Sequence, residues 1–155
     1  MKQFLKKKLV DPLKEYLKSG TSPHKLAQGI AWGLVLGLIP FIGINTALCA
    51  GVAIIFRINM GVIQLVNYFV YPLQLALFLP FIKLGIYLFG IGDIPYPLET
   101  VWQRLQTNFI ETIGDIWMAN MSGIVLWLIV APLLYYSGYY LGKVAIGKLV
   151  IKEEE

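Results

Sequence analysis

The 155 residues are 57% hydrophobic and 14% charged with a formal net charge of +4, and the mean hydropathy is +0.68. Soluble domains carry about one quarter charged residues, so this composition excludes an ordinary soluble domain and predicts a single all-α integral membrane domain. One cysteine, Cys49, excludes an intrachain disulfide and a cysteine-based metal site; it reads as a small buried hydrophobe.

Seven lysines fall in the first twenty-five positions, against only Asp11 and Glu15. No recognition helix or base-stacking module follows them, so nucleic acid is not the expected partner. A cytoplasmic flank drawn to anionic lipid is. Over 1–19, Phe4, Leu5, Leu9, Leu13, Tyr16 and Leu17 recur at helical spacing, with Lys6, Lys7, Lys14 and Lys18 largely elsewhere. That pattern predicts an interfacial amphipathic helix with its apolar face in the headgroup boundary. With no apolar core or cleavage site directly after the lysines, it is not read as a signal peptide.

Segment 22–57 predicts a glycine-rich helical hairpin. Ser22 is an N-cap and Pro23 a first helical residue, where a missing N–H costs nothing. No charged side chain occurs over 26–56, and Pro40 and Gly43 interrupt the run. Each arm holds about 14–16 residues, or roughly 21–24 Å, short of the roughly 30 Å of a bilayer core. A re-entrant hairpin is therefore favoured over two full spans, with its turn buried in protein or wetted. Gly29, Gly33 and Gly37 line one face for close packing, expected against 44–56, where Ala47 and Gly51 repeat the spacing.

Segment 60–92 is a second apolar block, interrupted by Pro72 and Pro80 and carrying Lys83; it fits either a kinked span or a second hairpin with a short helix. Two proline-broken segments are the plan of many transporters. Positions 93–97 read as an exposed connection. An amphipathic, mainly acidic helix is expected over 98–116, a transmembrane helix with interfacial aromatics over 117–142, and a cytoplasmic tail over 143–155. Both termini are placed in the cytoplasm of a multi-pass inner-membrane protein, which implies an even number of crossings.

For chemistry, the helix start at Ser22, with His24 and Lys25, offers unpaired N–H groups and positive charge to a lipid phosphate. In a hairpin Arg57 returns beside Lys25, and a guanidinium grips phosphate bidentately; two snorkelling anchors are the plain alternative. Asn45, Asn67, Gln74 and Lys83 are candidates for a polar path at membrane depth, with simple interhelical hydrogen bonding as the other reading of the amides. No Asp or Glu occurs between positions 15 and 93, and the single histidine gives no multi-histidine metal site. No catalysis, cofactor or metal is expected.

The run GTSPHKLAQGIAWGLVLGLIPFIGINT, with FRIN after it and Tyr71-Pro72-Leu73-Gln74 in the second block, resembles the bacterial membrane family Domain of Unknown Function 2062. The likeness extends over about 19–90. Family members often carry an Asn-Pro-Leu-Thr-like turn in the second block, whose outer positions are here Tyr71 and Gln74. Some members are fused to glycosyltransferase-type domains, which implies lipid or envelope work and supplies no catalytic residue. The expected function is non-enzymatic binding of anionic lipid or lipid-linked phosphate, with assistance to its translocation. A small-solute channel or carrier, or a scaffold for an envelope biosynthetic enzyme, are the alternatives. Membrane lipids, a second copy of the chain and such an enzyme are the expected partners.

Overall fold

A computed structural model describes residues 11–18, 20–41, 43–90 and 98–151. Expectations for positions 1–10, 93–97 and 152–155 lie outside them. The elements are α1 (Asp11–Lys18), α2 (Pro23–Gly37), α3 (Asn45–Phe56), α4 (Met60–Phe89), α5 (Leu98–Thr107) and α6 (Phe109–Ile151), with no strand among the described residues. Helices α4 and α6 are each long and apolar enough to cross a membrane.

The hairpin is present, and its caps explain it. Ser22 stands in extended conformation before Pro23, and its Oγ accepts the Lys25 N–H at 3.3 Å. Helix α2 stops at Gly37 because Pro40 follows, and the residue before a proline is pushed out of the helical region. Helix α3 runs back and closes with Arg57 in the left-handed region, φ 52°; the Arg57 N–H meets the Ile54 carbonyl and the Ile58 N–H the Ala53 carbonyl. Those are the paired bonds of a Schellman cap, usually built on glycine.

The glycine face of α2 finds a different partner from the one expected. A Cβ at Gly29 would lie 2.7 Å from Val62 Cγ1, and one at Gly33 would lie 2.6 Å from Val66 Cβ. One at Gly37 would lie 3.3 Å from Val70 Cβ. The three glycines therefore receive three valines of α4 at the same four-residue spacing, and the two helices run parallel. Ala47 is exposed and nothing approaches Gly51 within 4 Å. Branched valines fill glycine hollows more fully than the alanine and glycine of α3 could, so the apolar contact is larger on α4.

Helix α6 runs antiparallel along the other side of α2. Gly138 and Gly142 receive Leu34, Ala31 and Ile30. Past the tip of α2, α4 and α6 meet directly, Gly85 against the Ser122 and Gly123 backbone. The short α2 is thus a wedge between the first half of α4 and the second half of α6. With Gly37 opposite Val70, the hairpin tip lies near the middle of the 30-residue α4.

Three further expectations change. Pro72 and Pro80 do not break the second block: α4 is one helix with both prolines exposed on it, and Tyr71-Pro72-Leu73-Gln74 is helical rather than a turn. A proline on an outer face deletes one backbone bond while the remaining turns hold the helix. The boundary expected at 116/117 falls at Asn108, and α6 continues to Ile151 through the segment expected as a tail. The described part of the first helix lays Leu13 into a cluster with Leu26, Ala27, Val62 and Ile146. Leu13, on the side expected to face the headgroups, is thus buried against protein.

Candidate functional site

Helix α3 meets α4 along a seam unlike the glycine contact of α2. From α3 come Asn45, Thr46 and Cys49; from α4 come Gln64, Asn67 and Gln74. Asn45 Nδ2 donates to Gln74 Oε1 at 3.3 Å, Gln64 Nε2 to Thr46 Oγ1 at 3.4 Å and Asn67 Nδ2 to Cys49 Sγ at 3.5 Å. The two bonds to oxygen lie beyond the usual range for strong bonds, whereas the one to sulfur has an ordinary length. Asn67 and Gln74 are 3% and 1% exposed. Beside the seam is a cavity of about 200 Å³ lined by Gly43, Asn45, Thr46, Asn67, Tyr68, Tyr71 and Gln74.

Backbone demand explains why Gln74 is there. The turn after α2 leaves carbonyls that no helix satisfies. Gln74 Nε2 donates to the Ile39 carbonyl at 2.7 Å, and Trp127 Nε1 on α6 donates to the Val35 carbonyl at 3.0 Å. Each of these carbonyls also accepts a backbone N–H, Val35 from Leu38 and Ile39 from Phe41, so both are satisfied by protein. The amide orientation follows: with Nε2 committed to Ile39, Gln74 presents Oε1 to Asn45, which must answer with Nδ2. Asn45 Oδ1 is left buried without a donor, as is Gln64 Oε1. Helix α3 begins here with Ile44 at its cap position and no side-chain cap bond, so its first N–H groups stand beside the cavity.

A basic end lies at the other terminus of α3. Lys25 Nζ donates to the Phe56 carbonyl at 2.8 Å, joining the start of α2 to the close of α3. An ammonium there complements the negative end of the α3 dipole. Arg57 is exposed beside it, and Lys143 and Lys148 project from the neighbouring stretch of α6, where Ile146 packs on Leu26. His24 Nδ1 lies 2.9 Å from the Tyr139 hydroxyl.

Of the residues singled out, Ser22, His24, Lys25 and Arg57 share one end of the hairpin, and Asn45, Asn67 and Gln74 share the seam. Lys83 joins neither: it is exposed on α4, nine residues beyond Gln74. Tyr68 and Tyr71 were not expected at the site. Their signal was the spacing Gln64, Asn67, Tyr71, Gln74, which sets one stripe on a helix.

Fold and site together define a small all-helical protein whose two long apolar helices flank a hairpin closing over a polar seam. The chain belongs to the family described as uncharacterized protein conserved in bacteria (DUF2062), whose family model matches residues 5–153. No curated protein and no solved structure matches it.

Proposed function

We propose that this is a multi-pass protein of the bacterial inner membrane, with both termini cytoplasmic, that takes the phosphate headgroup of an anionic lipid into the α3·α4 seam and assists its passage across the bilayer. The observation that carries the reading is a cavity that gathers Asn45, Thr46, Asn67 and Gln74 near the middle of an apolar α4, beside an uncapped helix start. Ionisable and polar groups at such depth are costly unless they serve a function or a packing contact. A helix N-terminus and carboxamide donors suit phosphate.

The outer surface supports membrane residence: Ile54 and Ile55 on α3 are 78% and 74% exposed, and Leu133 and Leu141 on α6 are similarly open. A soluble surface does not present patches of this kind without a partner. Four cations at one end, Lys25, Arg57, Lys143 and Lys148, against Lys83 and Arg104 toward the other support an orientation with the more basic end inside. In this scheme Lys25 and Arg57 gather anionic lipid, and the seam admits its headgroup while the tails stay in the bilayer. Amides, hydroxyls and a thiol have no acid or base strength suited to neutral pH, which fits carriage rather than catalysis.

The test is a fluorescent-lipid scrambling assay in proteoliposomes together with liposome flotation. The expected result is faster exchange of an anionic lipid than in protein-free vesicles, reduced by Asn67→Leu with Gln74→Met, and weaker flotation for Lys25→Ala with Arg57→Ala. Exchange no faster than in empty vesicles would overturn the proposal.

A further inference from the structure

Beyond the uncapped N–H groups at the α3 start, the side-chain needs left open along the seam are those of acceptors. Asn45 Oδ1 and Gln64 Oε1 are both buried acceptors with no donor among the described residues. Pro72 removes the N–H that would serve the Tyr68 carbonyl one turn earlier, and Tyr68 lines the cavity. The direction of the Asn45 amide is not arbitrary, because the bond from Gln74 to the Ile39 carbonyl sets it through the chain described above. A buried acceptor left open is destabilising, so the closed seam favours a guest that brings donors.

Two classes of donor are available, ammonium and hydroxyl. No carboxylate lies between positions 15 and 93 to neutralise a buried ammonium, an unpaired buried charge is heavily penalised, and the α3 start that compensates a phosphate opposes a cation. Hydroxyls need no counter-charge. Tyr68 and Tyr71 add apolar ring surface at the cavity wall, against which the C–H faces of a polyol or sugar can rest. Helix α3 can make room: its ends turn at Gly43, φ 106°, and Arg57, φ 52°, and its seam bonds to oxygen are long.

We infer that the seam selects a hydroxyl-bearing phosphate ester, a glycerol- or sugar-type headgroup, over one bearing phosphate alone. The phosphate sits at the start of α3 and the hydroxyls donate to Asn45 Oδ1, which lines the cavity, and to Gln64 Oε1, whose amide bonds the cavity-lining Thr46. This rests on the function proposed above and names the substrate class of the same site.

The experiment compares exchange of tail-labelled phosphatidylglycerol and phosphatidic acid in phosphatidylcholine proteoliposomes of the full chain. The expected ratio is about tenfold in favour of phosphatidylglycerol, from hydroxyl bonds worth about 1.4 kcal/mol in total. Asn45→Leu should bring the ratio close to one, and Gln64→Met, a change on α4 away from the α3 start, should lower it as well. Monodisperse elution and helical circular dichroism check that each variant is folded. Equal exchange of both lipids would overturn the selectivity and leave the carriage reading standing, as would a preference that both variants retain. Exchange of neither lipid would overturn both. Flux of glycerol 3-phosphate into the same vesicles without lipid exchange would assign the hydroxyl recognition to a soluble ester and overturn the lipid source.

Discussion

Helix α4 meets both arms of the hairpin, and it meets them with opposite materials. Towards α2 it offers Val62, Val66 and Val70 to three glycines, at separations that leave no room for a methyl group at Gly29 and Gly33 and little at Gly37. Towards α3 it offers Gln64, Asn67, Tyr71 and Gln74, with two long hydrogen bonds to oxygen and a cavity. Dispersion rewards close approach and falls away steeply with separation, so the first contact holds the fold. The second is held by groups whose needs are incompletely met, and that is where a guest can compete.

The sharpest way to break this contrast is to make one substitution on both arms. Gly33→Ala places a Cβ within 2.7 Å of the Ile63 carbonyl oxygen and is expected to destabilise by about 2–3 kcal/mol through overpacking. Gly51→Ala meets nothing within 4 Å and should stabilise by about 0.5–1 kcal/mol through helix entropy. Thermal unfolding in mild detergent reads both, and equal effects would erase the distinction.

Gln74→Leu comes next. It strands the Asn45 amide and leaves the Ile39 carbonyl with the Phe41 N–H alone, for an expected loss of about 2 kcal/mol. The same denaturation series should show it worse than Gln64→Leu, whose Thr46 partner is exposed.

Arg57→Gly sharpens the contrast in the other direction. The left-handed backbone at φ 52° disfavours a side chain, so glycine should raise stability by about 1 kcal/mol. Flotation with anionic vesicles should weaken at the same time. Stability and lipid attachment moving in opposite directions would mark Arg57 as kept for its charge; attachment unchanged would remove Arg57 from the scheme.

The smallest effect is expected from Lys25→Met. Losing the ammonium on the Phe56 carbonyl should weaken the last turn of α3 by about 0.5 kcal/mol. Faster hydrogen exchange confined to that turn would show it, with α2 amides unchanged.

The polar candidates were readable as residues but only partly as neighbours. Asn45, Asn67 and Gln74 stand out because amides are rare in apolar runs, and the structure brings them together. Lys83 stands out for the same reason and lies elsewhere, since a long cationic side chain can sit on the outside of a helix and reach for an interface. The prolines at 72 and 80 looked like breaks because a proline deletes a backbone bond, yet a helix packed on two sides tolerates that loss on its third.

What the sequence determined by itself was local. Ser22-Pro23 opens a helix, Pro40 and Gly43 turn it back, and Gly29, Gly33 and Gly37 demand a close neighbour, because caps, turns and a 3.6-residue period act over a few residues. Which neighbour answered was decided only in three dimensions. Two segments carried the right spacing, and Val62, Val66 and Val70, more than thirty residues away, filled the hollows better than Ala47 and Gly51. That choice left α3 to close over the amides of α4, and so made the seam.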